Sequence, residues 1–489
     1  MFIQQIYTGC LSEAAYFIES NGEAAIIDPM RDTDKYLQMA REHNATITYI
    51  FETHFHADFV SGHLDLSKQT GATIVYGPHT EAKFPFHLAK DGELFKIGNT
   101  TLEVLHTPGH TIESTCYLLR DEKNKPYCIF TGDTLFTGDI GRPDLSSGNL
   151  TKEELASIMY DSLQKKILPL ADDVIVYPAH GPGSSCGKNI GTETQSTIGI
   201  QKKTNYALQP QTKEEFIKSV TSELEDAPAY FSINAKINKE GYSNLEKVKS
   251  IGLTPLSIKE FKEKVANGCV ILDTRNANVF TEGFIPGSIF IGLEGRFAEW
   301  AGNLLSFDEP IVLITDIGKE EETVVRLARV GFEKVEGFLE GGYEAWQKAG
   351  KKTDMIIDIE ADELAMDIPF DENLTVLDVR KFNEFAEGHV KDAINLPLVE
   401  MTDVAQIAQL EENQNIYVHC AAGYRSTIAA SLLKRQGYHN LRNVLGGWER
   451  IKEQPGIPTE KEAKVLNENI PFLFDCCKLT LISLHKFKM

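Results

Sequence analysis

From about residue 257 onward the chain repeats itself. VILDTRNANVFTEG at residues 270–283 is matched by TVLDVRKFNEFAEG at 375–388; Asp273 and Asp378 lie 105 residues apart, and Gly341 and Gly446 keep that offset. Duplication of a unit of roughly 100 residues explains this, and each copy alternates apolar strand-like runs with helical stretches, as a parallel sheet requires. Residues 1–247 read differently: β-rich runs such as AAIID, ITYIF, LEVL, YCIFTGD and VIVYPAH are interrupted by helix-like DTDKYLQMAREHN and TKEELASIMYDSLQKKI. The expected fold class is a multidomain α/β protein, with one α/β or α+β unit over 1–247 and repeat units over 255–350 and 357–455. The tail at 459–489 has strand-like alternation and no identifiable partner. A chain of 489 residues fits three units at about 150 residues per domain.

With 42% hydrophobic and 25% charged residues, the chain has ample material for folded cores, which excludes a mainly disordered protein. Its net charge of −22 repels phosphate backbones and anionic membrane surfaces, so neither nucleic acid nor membrane is an expected partner. No window approaches 18 consecutive apolar residues, and the start MFIQQIYTGC lacks the pattern of a signal peptide, so a cytoplasmic location is expected. Eight cysteines in a chain of this length do not make a disulfide framework. Cys116, Cys128 and Cys269 fall in apolar runs and are expected to be buried, reduced and inert.

Two constellations carry chemistry. In the first unit, Thr53-His54-Phe55-His56-Ala57-Asp58 follows the strand ITYIF, and His110 in HTPGH, Asp133 in FTGD and His180 in YPAH each follow a later strand end. Several strands delivering imidazole and carboxylate to one rim can build a metal site from residues distant in sequence. A donor set without cysteine favours Fe(II), Zn(II) or Mn(II). His43, His79, His87 and His106 have no such setting and read as structural. In the last unit, Cys420-Ala421-Ala422-Gly423-Tyr424-Arg425-Ser426 sits between the strand NIYVHC and the helix-like STIAASLLKRQG. A cysteine on a loop that opens a helix meets unsatisfied N–H groups and the positive dipole end, and Arg425 adds a permanent cation; both favour thiolate. Small residues let the loop curl its amides inward around an anion such as a persulfide.

The first set resembles the metallo-β-lactamase superfamily, whose αββα sandwich carries H-x-H-x-D-H and then His, Asp and His in this order. Through T-H-F-H-A-D, T-P-G-H-T, F-T-G-D and residues 138–144 it is most similar to the persulfide dioxygenases and the related hydroxyacylglutathione hydrolases. One departure stands out: Phe59 occupies the position of the motif's final His. A binuclear hydrolase would lose a ligand to its second ion there. The resemblance implies one Fe(II) per chain on His54, His110 and Asp133, a two-His, one-carboxylate face with room for substrate sulfur and O₂. His56, Asp58 and His180 would orient ligands or hold water. Arg142 would take a carboxylate of a thiol cofactor through a bidentate contact. Cys186, six residues past His180 on a Gly/Ser-rich loop, is placed near the metal, where a thiol could accept or relay sulfur.

The second set resembles the rhodanese signature C-x-x-G-x-R, supported by LDVR, EGHVKDAINLP and the closing LGGW. A Cys-based phosphatase would need its Arg one residue later, where Ser426 stands. Subtracting the repeat offset from Cys420 gives Thr315, and Arg425 maps to Glu320, so the first copy resembles a degenerate rhodanese that spaces, docks or dimerises the other parts. A homo-oligomer is compatible with that role. Together the resemblances imply oxidation of a low-molecular-weight persulfide by O₂ to sulfite, followed by sulfur transfer through Cys420 to give thiosulfate. Two alternatives stand beside it: a two-zinc hydroxyacylglutathione-type thioester hydrolase fused to a sulfurtransferase, and a sulfur carrier whose metal domain is degenerate.

Overall fold

The computed structural model describes residues 1–145, 150–224, 226–411 and 413–461. Most of the tail expected at 459–489 lies outside them; within them, Thr459–Glu460 pairs antiparallel with His389–Val390.

The first unit is built on two six-stranded sheets face to face. One runs from Phe2–Thr8 through Glu13–Ser20, Glu23–Ile27, Thr46–Glu52 and Thr73–Tyr76 to His87–Leu88. In the other, Leu94–Ile97, Thr100–His106, Thr115–Arg120, Pro126–Gly132, Ile175–Pro178 and Ser196–Thr197 lie in spatial order. Alternate side chains of both sheets (Tyr16, Ile18, Ile27 and Phe51 against Val104, Tyr117, Leu119 and Phe130) form the inner core. The outer faces are covered by helices: Asp34–Glu42 and His63–Thr70 bury Tyr36 and Leu66 on the first sheet, and Lys152–Ser162 and Lys213–Thr221 bury Met159 and Phe216 on the second. Two of these helices start where the sequence stops them fraying: in T-K-E-E, Thr151 and Glu154 form a reciprocal capping box, and Thr212 and Glu215 repeat it. The outcome is an α/β/β/α sandwich.

The two repeat units have one topology. Pro255–Leu256, Val335–Leu339, Ile311–Ile314, Val270–Asp273 and Ile289–Phe290 form a five-stranded sheet in that order; Ile357–Ile359, Leu441–Val444, Asn415–His419, Leu374–Asp378 and Ile394–Asn395 repeat it. Pairing within both sheets is parallel. The central strand Ile311–Ile314 is buried throughout, as a strand covered on both faces must be. Equivalent side chains do equivalent work: Asp273 grips Arg275, which donates to the Gly283 carbonyl and stacks on Tyr343, while Asp378 grips Arg380, which donates to the Gly388 carbonyl and stacks on Trp448.

The units share one apolar cluster running from Leu11 and Phe59 through Phe290 and Leu327 to Leu433. Helix Leu245–Gly252 spans residue 247 and packs against helix Glu320–Arg329, so close that a Cβ on Gly252 would lie 2.9 Å from Val324. Arg31, fully buried, donates to the carbonyls of Ser243 and Ala328 and pairs with Glu333, fastening the sandwich to the first copy. Removing a partner would strand a buried charge at a cost of about 3–5 kcal/mol. Helix Tyr424–Arg435 lies on the edge strand Ile289–Phe290, where Ser431 Oγ accepts from the Phe290 N–H at 3.0 Å. That contact satisfies an edge strand which would otherwise present open ladder groups. Among the described residues no helix is long and apolar enough to cross a membrane.

Candidate metal centre and sulfur-transfer loop

Asp133 directly follows the strand Pro126–Gly132, His54 and His180 each lie two residues past the strands Thr46–Glu52 and Ile175–Pro178, and His110 sits on the loop after Thr100–His106. The two sheets meet here: Ala14 N donates to Ala179 O, and Gly181 N to Ser12 O. Ligand atoms of His54, His110 and Asp133 lie within 4.8 Å of one another, all buried. Asp133 Oδ2 is 3.4 Å from His110 Nε2 and 3.9 Å from His54 Nε2, while Oδ1 is 3.5 Å from His180 Nε2.

The far side of each ring decides what the near side presents. His110 Nδ1 donates to the Arg142 carbonyl at 2.8 Å, and His180 Nδ1 to the Ser12 carbonyl at 3.1 Å. Thr53 Oγ1 spends its proton on Asp28 Oδ2 at 2.8 Å, so toward His54 Nδ1, 3.0 Å away, it accepts. A neutral ring that donates from Nδ1 carries only a lone pair at Nε2. Three bare Nε2 atoms therefore face the carboxylate of Asp133, whose two oxygens have no hydrogen-bond partner. Acceptors converging with no nearby donor but the weak Cys186 thiol repel one another unless a cation lies among them, so these residues fit a metal ion. Burial, then His56, His110 and His180, hold His54 well below the usual imidazole range, in its ligand form. Removing the outer partner of a ligand by Thr53→Val should weaken metal affinity about 10–100-fold, measured by competition with a chelator.

Asp58 and His180 adjoin this cluster with Cys186, their donor atoms again within 4.8 Å. Burial and the carboxylates of Asp58 and Asp133 push the Cys186 thiol well above its usual range. His56 turns away from His54, His110 and Asp133 toward Asp28 at 3.1 Å and Glu52 at 3.5 Å. Burial opposes its charged form, but those two carboxylates outweigh burial and raise its pKa well above the usual value. Phe59 is fully buried against the His56 ring, with centroids 4.3 Å apart. Arg142, expected to face a cofactor carboxylate, is buried and makes a bidentate pair with Asp144 at 2.7 and 2.6 Å.

Several positioning residues went unread in the sequence. Asp28 ends the run AAIID and Glu52 ends ITYIFE, the same strand-end signal that the candidate metal-holding residues carry. Asn238 had no such signal: from helix Phe231–Glu240 it donates to the carbonyls of His56 and Phe59 and accepts from Ser61 N, holding the H-x-H loop.

Cys420 lies between strand Asn415–His419 and helix Tyr424–Arg435, buried, with Gly423 N donating to its Sγ at 3.1 Å. The loop closes because Gly446 and Gly447 adopt left-handed φ of 69° and 53°, and a Cβ on Gly447 would meet the Cys420 carbonyl at 2.3 Å. Trp448 N and Glu449 N then donate to the Cys420 and Ala421 carbonyls, which accounts for the closing LGGW. In the first copy Gly342 approaches the Thr315 carbonyl in the same way, so Thr315 occupies the cysteine position. Arg425, read as a cation for the loop, is held by Glu384 through a bidentate pair at 2.7 and 2.8 Å. Tyr424, read as part of the substrate loop, donates its hydroxyl to the Gly292 carbonyl of the first copy at 2.8 Å. Of the cysteines expected to be inert, Cys116 is buried, which pushes its thiol up to about 11, and burial raises Cys128 too. Cys269 is a correction: it precedes the strand Val270–Asp273 and is only half-buried, because it closes the turn after helix Ile258–Ala266.

Residues 8–180 match the metallo-beta-lactamase superfamily, and residues 257–349 and 360–454 each match the rhodanese-like domain. Hydroxyacylglutathione hydrolase GloC of Haemophilus influenzae is 30% identical over 207 residues, 38% of this chain and 87% of that protein. A crystal structure of a metallo-beta-lactamase from Staphylococcus aureus subsp. aureus COL is similar at 34% identity with a TM-score of 0.62, over 69% of this chain and 98% of that one. The structure of ETHE1 from Myxococcus xanthus is similar at 30% identity with a TM-score of 0.42, over 49% of this chain and 98% of its own. By its fold, its strand-end donors and these matches, the chain belongs to the metallo-β-lactamase superfamily and carries two rhodanese-like domains behind the metal-binding fold.

Proposed function

We propose that the protein is a mononuclear iron persulfide dioxygenase coupled to a rhodanese sulfurtransferase. The carrying observation is the donor set: two imidazoles and one carboxylate on one face, with a buried phenylalanine where a second ion would need another imidazole. Fe(II) held by His54, His110 and Asp133 would supply the activation of O₂ toward a persulfide sulfur. The chain's own residues hold the site ready. Thr53 and the Arg142 carbonyl fix the tautomers of His54 and His110, and Asn238 keeps the H-x-H loop in register.

The overall oxidation balances as RSSH + O₂ + H₂O giving RSH + SO₃²⁻ + 2 H⁺, with the outer sulfur oxidised and O₂ reduced. In the second reaction Cys420 thiolate attacks the outer sulfur of another persulfide, releasing RSH, and the Cys420 persulfide then passes that sulfur to sulfite as thiosulfate. Arg425, paired to Glu384, anchors the start of the loop's helix. The partners of this reading are low-molecular-weight persulfides, O₂ and sulfite, in a reducing cytoplasm where detoxifying sulfide is useful. Anaerobic purification, metal quantification and oxygen uptake test it: one iron per chain and persulfide-dependent uptake are expected, and iron-loaded protein that takes up no oxygen with any persulfide would refute it.

A second reading keeps one specific support. Asp58, His180 and Cys186 form a further donor group beside Asp133, and the hydroxyacylglutathione hydrolase relative shares the fold. Two zinc ions per chain and thioester cleavage would favour that hydrolase.

A further inference from the structure

A cavity of about 210 Å³ opens beside the metal centre. Asp58 lines it, with Oδ2 3.5 Å from His180 Nε2, which itself faces Asp133. Tyr230 and Phe231 give it an apolar side, and residues 182–185, just past His180, line it too. Part of its lining comes from another unit: Arg296 and Glu299, at the start of helix Phe297–Leu304, belong to the degenerate rhodanese copy.

Arg296 is the one cationic side chain among the described residues lining this cavity. Its Nη2 donates to the Gly183 carbonyl at 2.6 Å, and its Nε pairs with Glu299. Those contacts fix one edge of the guanidinium, while the side chain stays 53% exposed. A planar fork held on one edge and open on the other is prepared for a carboxylate or phosphate. Arg142, the other arginine near the ligands, is already engaged by Asp144. In a chain of net charge −22, an anionic substrate needs a local cation to enter.

We infer that the degenerate copy completes the substrate cavity of the metal centre and that Arg296 is its specificity-determining residue, taking the anionic end of the thiol that carries the sulfur. The inference rests on the persulfide reading above. It also gives the degenerate copy work that needs no cysteine: its loop at 292–296 meets Tyr424 through Gly292 at one end and Gly183 through Arg296 at the other, touching both active units.

The test uses the full iron-loaded chain, wild type beside Arg296→Ala and Arg296→Lys. Oxygen uptake is measured with glutathione persulfide (carboxylates), coenzyme A persulfide (phosphates) and uncharged 2-hydroxyethyl persulfide. For Arg296→Ala the ratio of kcat/KM for an anionic carrier to that for the uncharged one should fall about tenfold, mainly through KM, with partial recovery in Arg296→Lys. The carrier whose ratio falls names the anion. Unchanged ratios for both anionic carriers would overturn the inference, because a residue that merely pins Gly183 would affect all three substrates alike. If wild type takes up no oxygen with any of them, the persulfide reading fails, and titration calorimetry with glutathione and coenzyme A decides the cavity's role separately. Binding lost in Arg296→Ala supports the inference; equal binding, or none to wild type, overturns it.

Discussion

Asp133→Asn should abolish metal binding and, on the proposed function, persulfide-dependent oxygen uptake, with a loss greater than the roughly 100-fold that marks removal of an outer partner of a ligand. Asp133 lies at the centre of the acceptor cluster, 3.4–3.9 Å from three Nε2 atoms. It also supplies the site's central negative charge. Asparagine keeps the shape but removes that charge, and its amide N–H₂ can donate to the bare imidazole nitrogens, so the protein satisfies its own lone pairs and no longer requires a cation. Metal content by mass spectrometry and oxygen uptake would be read together with circular dichroism, since relief of the repulsion should leave the fold intact or firmer. Sulfur transfer from thiosulfate to cyanide at Cys420 should persist. Full iron occupancy in the variant would show that Asp133 is not a ligand.

Cys420→Ser should lower thiosulfate formation by about 10³-fold or more, the scale seen when a nucleophile is removed from a site acting as a unit. The hydroxyl fits the same buried space and can still accept from Gly423 N, so the loop should hold its shape. It cannot store a sulfane sulfur at neutral pH, because its proton is held far more tightly than a thiol's. Sulfite should therefore accumulate while oxygen uptake continues, separating the two centres on one chain. Thiosulfate at the wild-type rate would move the transfer to another thiol.

Much of this protein was legible without coordinates. The 105-residue offset is a covalent fact, and two copies of one pattern bury the same residues, so the shared strand order and the Asp–Arg pairs at 273/275 and 378/380 follow from it. The degeneracy of the first copy was visible too, since Thr315 cannot carry sulfur. The wider His and Asp constellation could be grouped because its members lie at or shortly after strand ends, which converge on a sheet rim, whereas the choice of His54, His110 and Asp133 within it came from the family resemblance.

What the sequence did not contain was direction. His56 and His54 are two residues apart, yet one faces the donor cluster and the other the carboxylates of Asp28 and Glu52, a choice made by which polar groups the fold brings behind each ring. Arg142, Arg425 and Tyr424 read as ligand contacts, and each found a protein partner, because buried or half-buried polar groups must be satisfied by whatever packs nearest. Only docking of the units placed Arg296 beside the metal cavity, from a stretch of chain more than a hundred residues past His180. Local spacing determines which chemistry a chain can carry; long-range packing determines which side chains are left free to perform it.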